Sequence, residues 1–464
     1  METGKAVTLI TRSARAKEGL MTPFGFGPPE DGAGNNPENF DINEIMRQMQ
    51  SEFQKISPQF GFMNPANLFG AMNGNGALPK DVIREVAKTF IQTQGSQPIG
   101  ANDQAKCEEA FSIANTWLDQ ATVFPMVTPD HPAISPIDWL NITIEGWHST
   151  FEPLAEGLAG AITKLIEEAT GAMQNGQAEV DEQQAAMAAQ VGPMAQILRG
   201  FIGSMLATQM GQTIGALASA SKGAHDAALP ITSNSKPSLL PQSLRKFGEE
   251  LEIPETEIAI YFALREAAMV RLFESNPWLV AYLKAAIAEY GKGIHIDLDA
   301  IQRQAEETMR SMEDSGQSFD PQNPESFTIA LNNGLFTPEE SPQQAAALEK
   351  LETALALIDG WVEEVISLAA ENRLPSLSAL TELLRRERVS NSPVQQLFKA
   401  LFNLEVSPRR IREAAFFWHE LREKRDIEQR DKVWSGLLPT EKELLDPIAF
   451  IGSTEIPDDL SGLF

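Results

Sequence analysis

The sequence predicts a mainly α protein: a helical body with at most a small β-sheet, preceded by a disordered N-terminal arm. Three observations carry that expectation. Apolar residues recur at helical spacing from residue 78 onward, alternating runs of Val, Ile and Thr are rare, and Gly, Pro and Asn cluster before residue 78 and again at 312–341.

Residues 21–77 are rich in Gly, Pro, Asn and Phe, which reads as a flexible arm with scattered apolar spots. Within it, 41–55 places Ile42, Ile45, Met46, Met49 and Phe53 on one side of a short amphipathic helix. The globular body spans 78–450. Val82, Ile83, Val86 and Phe90 give a first helix, and Phe111, Ala114, Trp117 and Leu118 a second. A third region, 135–170, follows Ser135-Pro136 and carries Trp139, Ile142, Trp147 and Phe151. Residues 183–220 form another helical stretch after a polar interval, and 221–243 read as a loop. The next helix opens at Pro254-Glu255 and stops at Asn276-Pro277. An acidic connection at 312–341 leads to a helix with Leu348, Leu351, Leu355 and Ile358 on one face. In 372–434, 13 Lys or Arg stand against 9 Asp or Glu. Arg409, Arg410 and Arg412 interleave with Glu413, Glu420 and Glu423, so pairing along a solvated helix explains them better than a basic patch. Residues 451–464 form a tail. No internal repeat is present.

A formal charge of −27 argues against sequence-independent binding to nucleic acid or to an anionic membrane surface and suits a cytoplasmic protein. The single cysteine, Cys107, excludes an intramolecular disulfide and a cysteine-based zinc cluster, and its helical apolar setting predicts a buried, inert thiol. Residues 197–220 are the candidate membrane span. Thr208, Gln209, Gln212 and Thr213 interrupt them, and Gly203, Ala207, Gly211 and Gly215 give a spacing suited to close helix packing, so a core helix is the better reading.

The most informative segment is 254–279, PETEIAIYFALREAAMVRLFESNPWL, where Arg265 and Glu266 sit inside an apolar helix. A buried charge is costly unless paired or used. Neighbours on a helix point about 100° apart, so Arg265 and Glu266 cannot pair with each other and each needs a partner from another element. Two readings stay open for Glu266, a structural ion pair and a retained active-site role.

The segment resembles the zincin-like metallopeptidase family, known from actinobacterial proteins assigned as hydrolases. Members pair a leucine-rich lead-in with an H-E-x-x-H helix, an aromatic residue and Pro-Trp-Leu. Here the lead-in is SLLPQSLRKFGEELEIPETEIAIYFAL, the frame reads Arg265-Glu266-Ala267-Ala268-Met269, and RLFESNPWL follows. The resemblance spans roughly 78–450. It includes the glycine-punctuated helix, a Glu-Gly-His element near Asp359-Gly360-Trp361, a Pro-Arg-Arg element and an Asp-Pro near the end. Met21 begins MTPFGFGPPEDG, similar to the start of family members, which marks 1–20 as a disordered tail or an over-extended start.

The resemblance implies zinc held by two histidines one helical turn apart, with the intervening glutamate as general base. By that frame Glu266 occupies the general-base position, Arg265 and Met269 occupy the two ligand positions, and Trp361 is a further departure. Arginine carries donors only and is always protonated, while a thioether is a soft ligand poorly suited to zinc. No cofactor is therefore expected. The five histidines, His131, His148, His225, His295 and His419, share no i,i+3 or i,i+4 relation; His225 and His295 flank the motif helix and offer a makeshift site with Glu266. No nucleophile elbow, Walker loop or dinucleotide fingerprint is present. The expected function is a non-catalytic scaffold that binds a peptide or protein partner. The alternative is an active zinc-dependent metallohydrolase with other ligands.

Overall fold

Prolines and short polar side chains set where the helices begin. The computed structural model describes residues 77–174, 182–229, 231–232, 236–249, 251–294, 341–391, 393–402, 406, 410–436 and 438–453, all within the unit formed by residues 65–464. The N-terminal arm to residue 76, the 41–55 segment, His295, Arg409, nearly all of the 312–341 connection and the tail beyond 453 lie outside the described residues. Helix α1 (Lys80–Gln94) ends on Gly95, whose φ of 81° is the left-handed cap that glycine adopts freely. Helix α2 covers Ala101–Leu118, α3 Pro136–Gln174, α4 Glu182–Ala220 and α5 Pro241–Gly248. Helices α6 (Glu255–Ser275) and α7 (Trp278–Lys292) are separated by Asn276 and Pro277. Helix α8 (Pro342–Ala370) opens with a reciprocal cap: Gln344 N–H donates to Ser341 Oγ at 3.2 Å and Ser341 N–H donates to Gln344 Oε1 at 3.0 Å. Then come α9 (Leu377–Asn391), α10 (Pro393–Phe402), α11 (Ile411–Lys424), α12 (Ile427–Lys432), α13 (Glu441–Leu444) and α14 (Pro447–Ser453).

The described residues contain no β-strand; two isolated bridges, Ala133 with Leu239 and Gly223 with Leu239, are the whole β content there. The mainly α expectation therefore holds. Helix α4 packs against α1 and α3. A Cβ added at Gly203, Gly211 or Gly215 would lie 2.6–2.8 Å from Ala77 O, Val86 Cβ or Phe90 Cβ, so these glycines let α1 approach closely. Ala207, Met210, Ile214 and Leu217 of the same helix are buried. Among the described residues no helix is long and apolar enough to cross a membrane.

Helices α6 and α8 are the spine of the core. Every residue from Tyr261 to Phe273 is buried in α6, and every residue from Ala354 to Ile366 in α8. Helix α6 lies against α2 and α8, and α8 also packs on α7 and α11. A helix buried all round cannot keep its charges in water. Whatever Arg265, Glu266 and Asp359 do, they do inside the protein.

Candidate functional site

The loop between α4 and α5 carries half of the site. Three stretches pair briefly: Ile134 N–H donates to Leu239 O and Leu239 N–H to Pro132 O, both at 2.9 Å, while Ala224 N–H donates to Ser238 O and Leu240 N–H to Lys222 O, both at 3.0 Å. These bonds hold Gly223, His225 and Ser238 beside α6. Gly223 comes so near that an added Cβ would stand 2.4 Å from Glu266 Oε2, a contact no larger residue accepts.

Glu266 receives three donors. His225 N–H donates to Oε2 at 3.0 Å, His225 Nδ1 lies 2.7 Å from Oε1, and Ser238 N–H donates to Oε1 at 3.2 Å. A carboxylate offers about four acceptor sites, so little of this one is left to receive a proton from water. Since the carboxylate only accepts, Nδ1 is the donor of that contact, and Thr232 Oγ1 stands 2.8 Å from Nε2 on the other side of the ring.

Arg265 and Met269 lie one turn apart on α6. Arg265 Nη2 donates to Asp359 Oδ1 at 2.8 Å. Asp359 Oδ2 faces Arg388 Nη1 at 3.4 Å, and Arg388 Nη2 donates to Asp226 Oδ1 at 2.9 Å and to Asp226 O at 2.7 Å. Lys222 N–H closes the series on Asp226 Oδ2 at 3.1 Å. Two guanidinium groups and two carboxylates thus alternate in a buried row. Burial alone would raise the Asp226 carboxyl, but Arg388, Lys222 and Arg265 outweigh it and hold the group below the usual range. Burial likewise works against the Arg265 charge, and Tyr261, Asp359, Asp226 and Glu363 reverse that effect and push its pKa up. A cavity of about 10 Å³, room for roughly one water, touches His225, Arg265, Glu266, Met269 and Arg388.

Trp361 points elsewhere. Its indole N–H donates to Asp431 Oδ1 at 2.9 Å, and its ring packs against Phe124 and Trp434. Two residues earlier on α8, Asp359 is the side chain that reaches the motif helix. Of the other histidines, His148 Nε2 bonds Leu78 O at 2.8 Å, His419 Nδ1 lies 3.4 Å from Glu364, and His131 offers its carbonyl to Ser238 Oγ. His225 alone among the described histidines meets Glu266. Arg388 and Thr232 gave no signal in the sequence, since an arginine in an arginine-rich helix and a loop threonine look ordinary.

The donor set does not fit zinc. Arg265 offers only donors and is committed to Asp359, Glu266 already accepts three hydrogen bonds, and Met269 supplies a thioether. Among the described residues, no group of three or more His, Cys, Asp or Glu side chains is placed to hold an ion. A second cavity, of about 110 Å³, opens between α2 and the α5–α6 turn; Cys107, Ala110, Ile113, Leu244, Ile258 and Ala259 line it. Burial, aided by Asp103, pushes the Cys107 thiol up to about 12, so it stays protonated at neutral pH.

Residues 80–451 match the model of a family described as zincin-like metallopeptidase. No curated protein matches. A crystal structure from Chloroflexus aurantiacus, described as "a putative hydrolase with a novel fold", superposes with a TM-score of 0.53 at 14% identity, covering 81% of this chain and 98% of that one. At that identity the likeness concerns the fold.

Proposed function

Since the chain belongs to the zincin-like metallopeptidase family, we propose that it is a member in which an internal guanidinium has replaced the metal, and that it acts as a scaffold, without the zinc-dependent reaction, binding a peptide or protein partner. The observation that carries this reading is the Arg265–Asp359 pair at 2.8 Å inside the motif frame. The positive charge that a zinc ion would bring to the family frame is supplied here by the chain itself, and a fixed guanidinium neither ionises water nor leaves. The three donors on Glu266 support it too, because a general base needs a lone pair aimed at its water and most of those on this carboxylate are taken. The apolar cavity of about 110 Å³, rimmed by the Lys106–Glu255 and Arg245–Asp103 pairs, has the size and character to take one apolar side chain of a partner.

Elemental analysis of the purified native protein tests the reading. Substoichiometric zinc and a melting temperature unmoved by chelator are expected. Stoichiometric zinc, with peptidase activity abolished by Glu266→Gln, would establish the active metallohydrolase instead. Arg265→His combined with Met269→His provides a complementary test. It frees Asp359 to serve as a carboxylate beside two imidazoles, and zinc binding by calorimetry is expected to rise. Unchanged binding would mean that Asp359 cannot turn to an ion.

A further inference from the structure

We propose that Thr232, His225 and Glu266 form a hydroxyl–imidazole–carboxylate relay, and that Thr232 is a metal-independent acyl acceptor at the edge of the same site. This goes beyond partner binding, because it adds a covalent step that needs neither zinc nor a free Glu266.

The geometry supplies the hydroxyl, the base and its orienting carboxylate. Glu266 Oε1 lies 2.7 Å from His225 Nδ1, and His225 Nε2 lies 2.8 Å from Thr232 Oγ1. An activated hydroxyl requires this arrangement: a base within hydrogen-bond reach, itself oriented by a third group. Burial is graded in the useful sense. Glu266 and His225 are 3% and 2% exposed, whereas Thr232 is only partly buried. The carboxylate cannot swing away, since the main-chain N–H groups of His225 and Ser238 also hold it. The contact fixes Nδ1 as a donor, and in the neutral ring that the relay uses, Nε2 turns its lone pair to the hydroxyl. Ala228, between the histidine and the threonine, has φ of 55°, an unfavourable backbone conformation for a residue with a Cβ. A histidine kept for packing alone also needs a partner at each nitrogen. Reactivity of the hydroxyl is what separates that role from the relay.

The substrate class is a carboxylic ester or a peptide acyl group. Thr232 Oγ1 attacks the acyl carbon and its proton passes to His225 Nε2. The bond from that carbon to the leaving oxygen or nitrogen then breaks, and the leaving group takes the proton from Nε2. The product is an acyl-threonine ester, which water attacks in the same manner to release the acid and restore the hydroxyl. Thr232 and His225 are the catalytic residues and Glu266 a positioning residue.

The test uses the full chain and an alkyl fluorophosphonate, with intact-mass measurement and peptide mapping in the presence of chelator. The Oγ1–P bond forms, fluoride leaves, and the hydroxyl proton passes to His225. One adduct is expected, on Thr232, absent in Thr232→Val and retained in Thr232→Ser. With Glu266→Gln the labelling rate is expected to fall at least about tenfold, since the histidine loses its orienting anion. Circular dichroism checks the fold of each variant; if Glu266→Gln unfolds, the two Thr232 variants decide. An unlabelled Thr232 in the folded protein, an adduct on another residue that persists in Thr232→Val, or labelling of folded Glu266→Gln at the native rate overturns the proposal. Zinc content measured on the same preparation tests the scaffold reading separately, so either can fail alone.

Discussion

Two buried clusters of charge in this protein look alike in composition and differ in how they are built. Around α12, Arg430 and Asp431 are neighbours in sequence and both are essentially inaccessible. Asp431 accepts from Arg430 Nε at 2.9 Å, Trp361 Nε1 at 2.9 Å, Thr122 Oγ1 at 2.6 Å and Val123 N–H at 2.9 Å. Trp361 and Trp434 wall the cluster, and neither of the two cavities described above touches it. The cluster on α6 instead draws Arg265, Asp359, Arg388 and Asp226 from α6, α8, α9 and the α4–α5 loop, and it borders a cavity. In the first, one carboxylate gathers its neighbouring guanidinium and three neutral donors and pins three chain segments together. In the second, cations and anions alternate in a row beside the helix that carries Glu266. Burial of charge alone therefore does not distinguish the two; the alternation of charges and the adjoining cavity do.

The largest expected effect separates the two clusters by double-mutant cycle. Asp431→Ala and Asp359→Ala each leave buried cations unpaired, and each is expected to cost about 3–5 kcal/mol in urea or guanidinium unfolding. The paired replacements diverge. Arg265→Met with Asp359→Leu exchanges the Arg265–Asp359 pair and the longer Arg388–Asp359 contact for apolar contact while Arg388 keeps Asp226, so stability is expected to return to within about 1–2 kcal/mol of the native chain. Arg430→Met with Asp431→Leu still strands Thr122, Val123 N–H and the Trp361 indole, each an unsatisfied donor costing about 1–3 kcal/mol, and no such recovery is expected. Equal recovery in both pairs would erase the distinction between a replaceable ion pair and an organising carboxylate.

The sequence made one half of this contrast legible. Helix α6 was evident from its apolar run, its Pro254 start and its Asn276-Pro277 stop, and the geometry of adjacent helical residues required Arg265 and Glu266 to find separate partners. They did, Arg265 on α8 and Glu266 on the α4–α5 loop. The identity of those partners was not legible. Arg388 and Asp226 are 162 residues apart, and Thr122 and Asp431 309 apart. Such pairings depend on tertiary packing, which periodicity does not encode. Trp361 drew attention through the family frame, while Asp359, two residues before it, is the one that faces α6; a shift of two positions on a helix turns a side chain by about 200°. His225 was visible only as a histidine near the motif, because the bridges that press it on Glu266 involve single residues rather than strands.

A smaller effect probes how tightly the loop half of the site is held. Gly223→Ala places a Cβ 2.4 Å from Glu266 Oε2, so the loop or the carboxylate must shift and weaken the His225 contacts. A loss of about 1–3 kcal/mol is expected. Gly160→Ala in α3 meets nothing within 4 Å and, as a helix-interior glycine, is expected to gain about 0.5–1 kcal/mol. Thermal melts of the two variants make the comparison directly. A neutral Gly223→Ala would show that Glu266 has room to move and could turn toward a water, which would weaken the scaffold reading.

The smallest expected effect is on the acid side and concerns the α6 cluster. Because the Asp226 carboxyl is held below its ordinary range, the folded state prefers the ionised form more than the unfolded chain does. That contribution is fully present above the ordinary aspartate value of about 3.9 and is lost as pH falls below it through the lower folded value. Asp226→Asn, which leaves Arg388 facing an uncharged amide, is expected to be less stable than the native chain at pH 7, with the gap narrowing between pH 4 and pH 2 as the native carboxylate takes up its proton. Denaturant midpoints at the two ends of that window measure the gap. A gap that stays constant would mean that Asp226 gains nothing from its ionised form, and the alternating row would then owe its order to hydrogen-bond geometry rather than to charge.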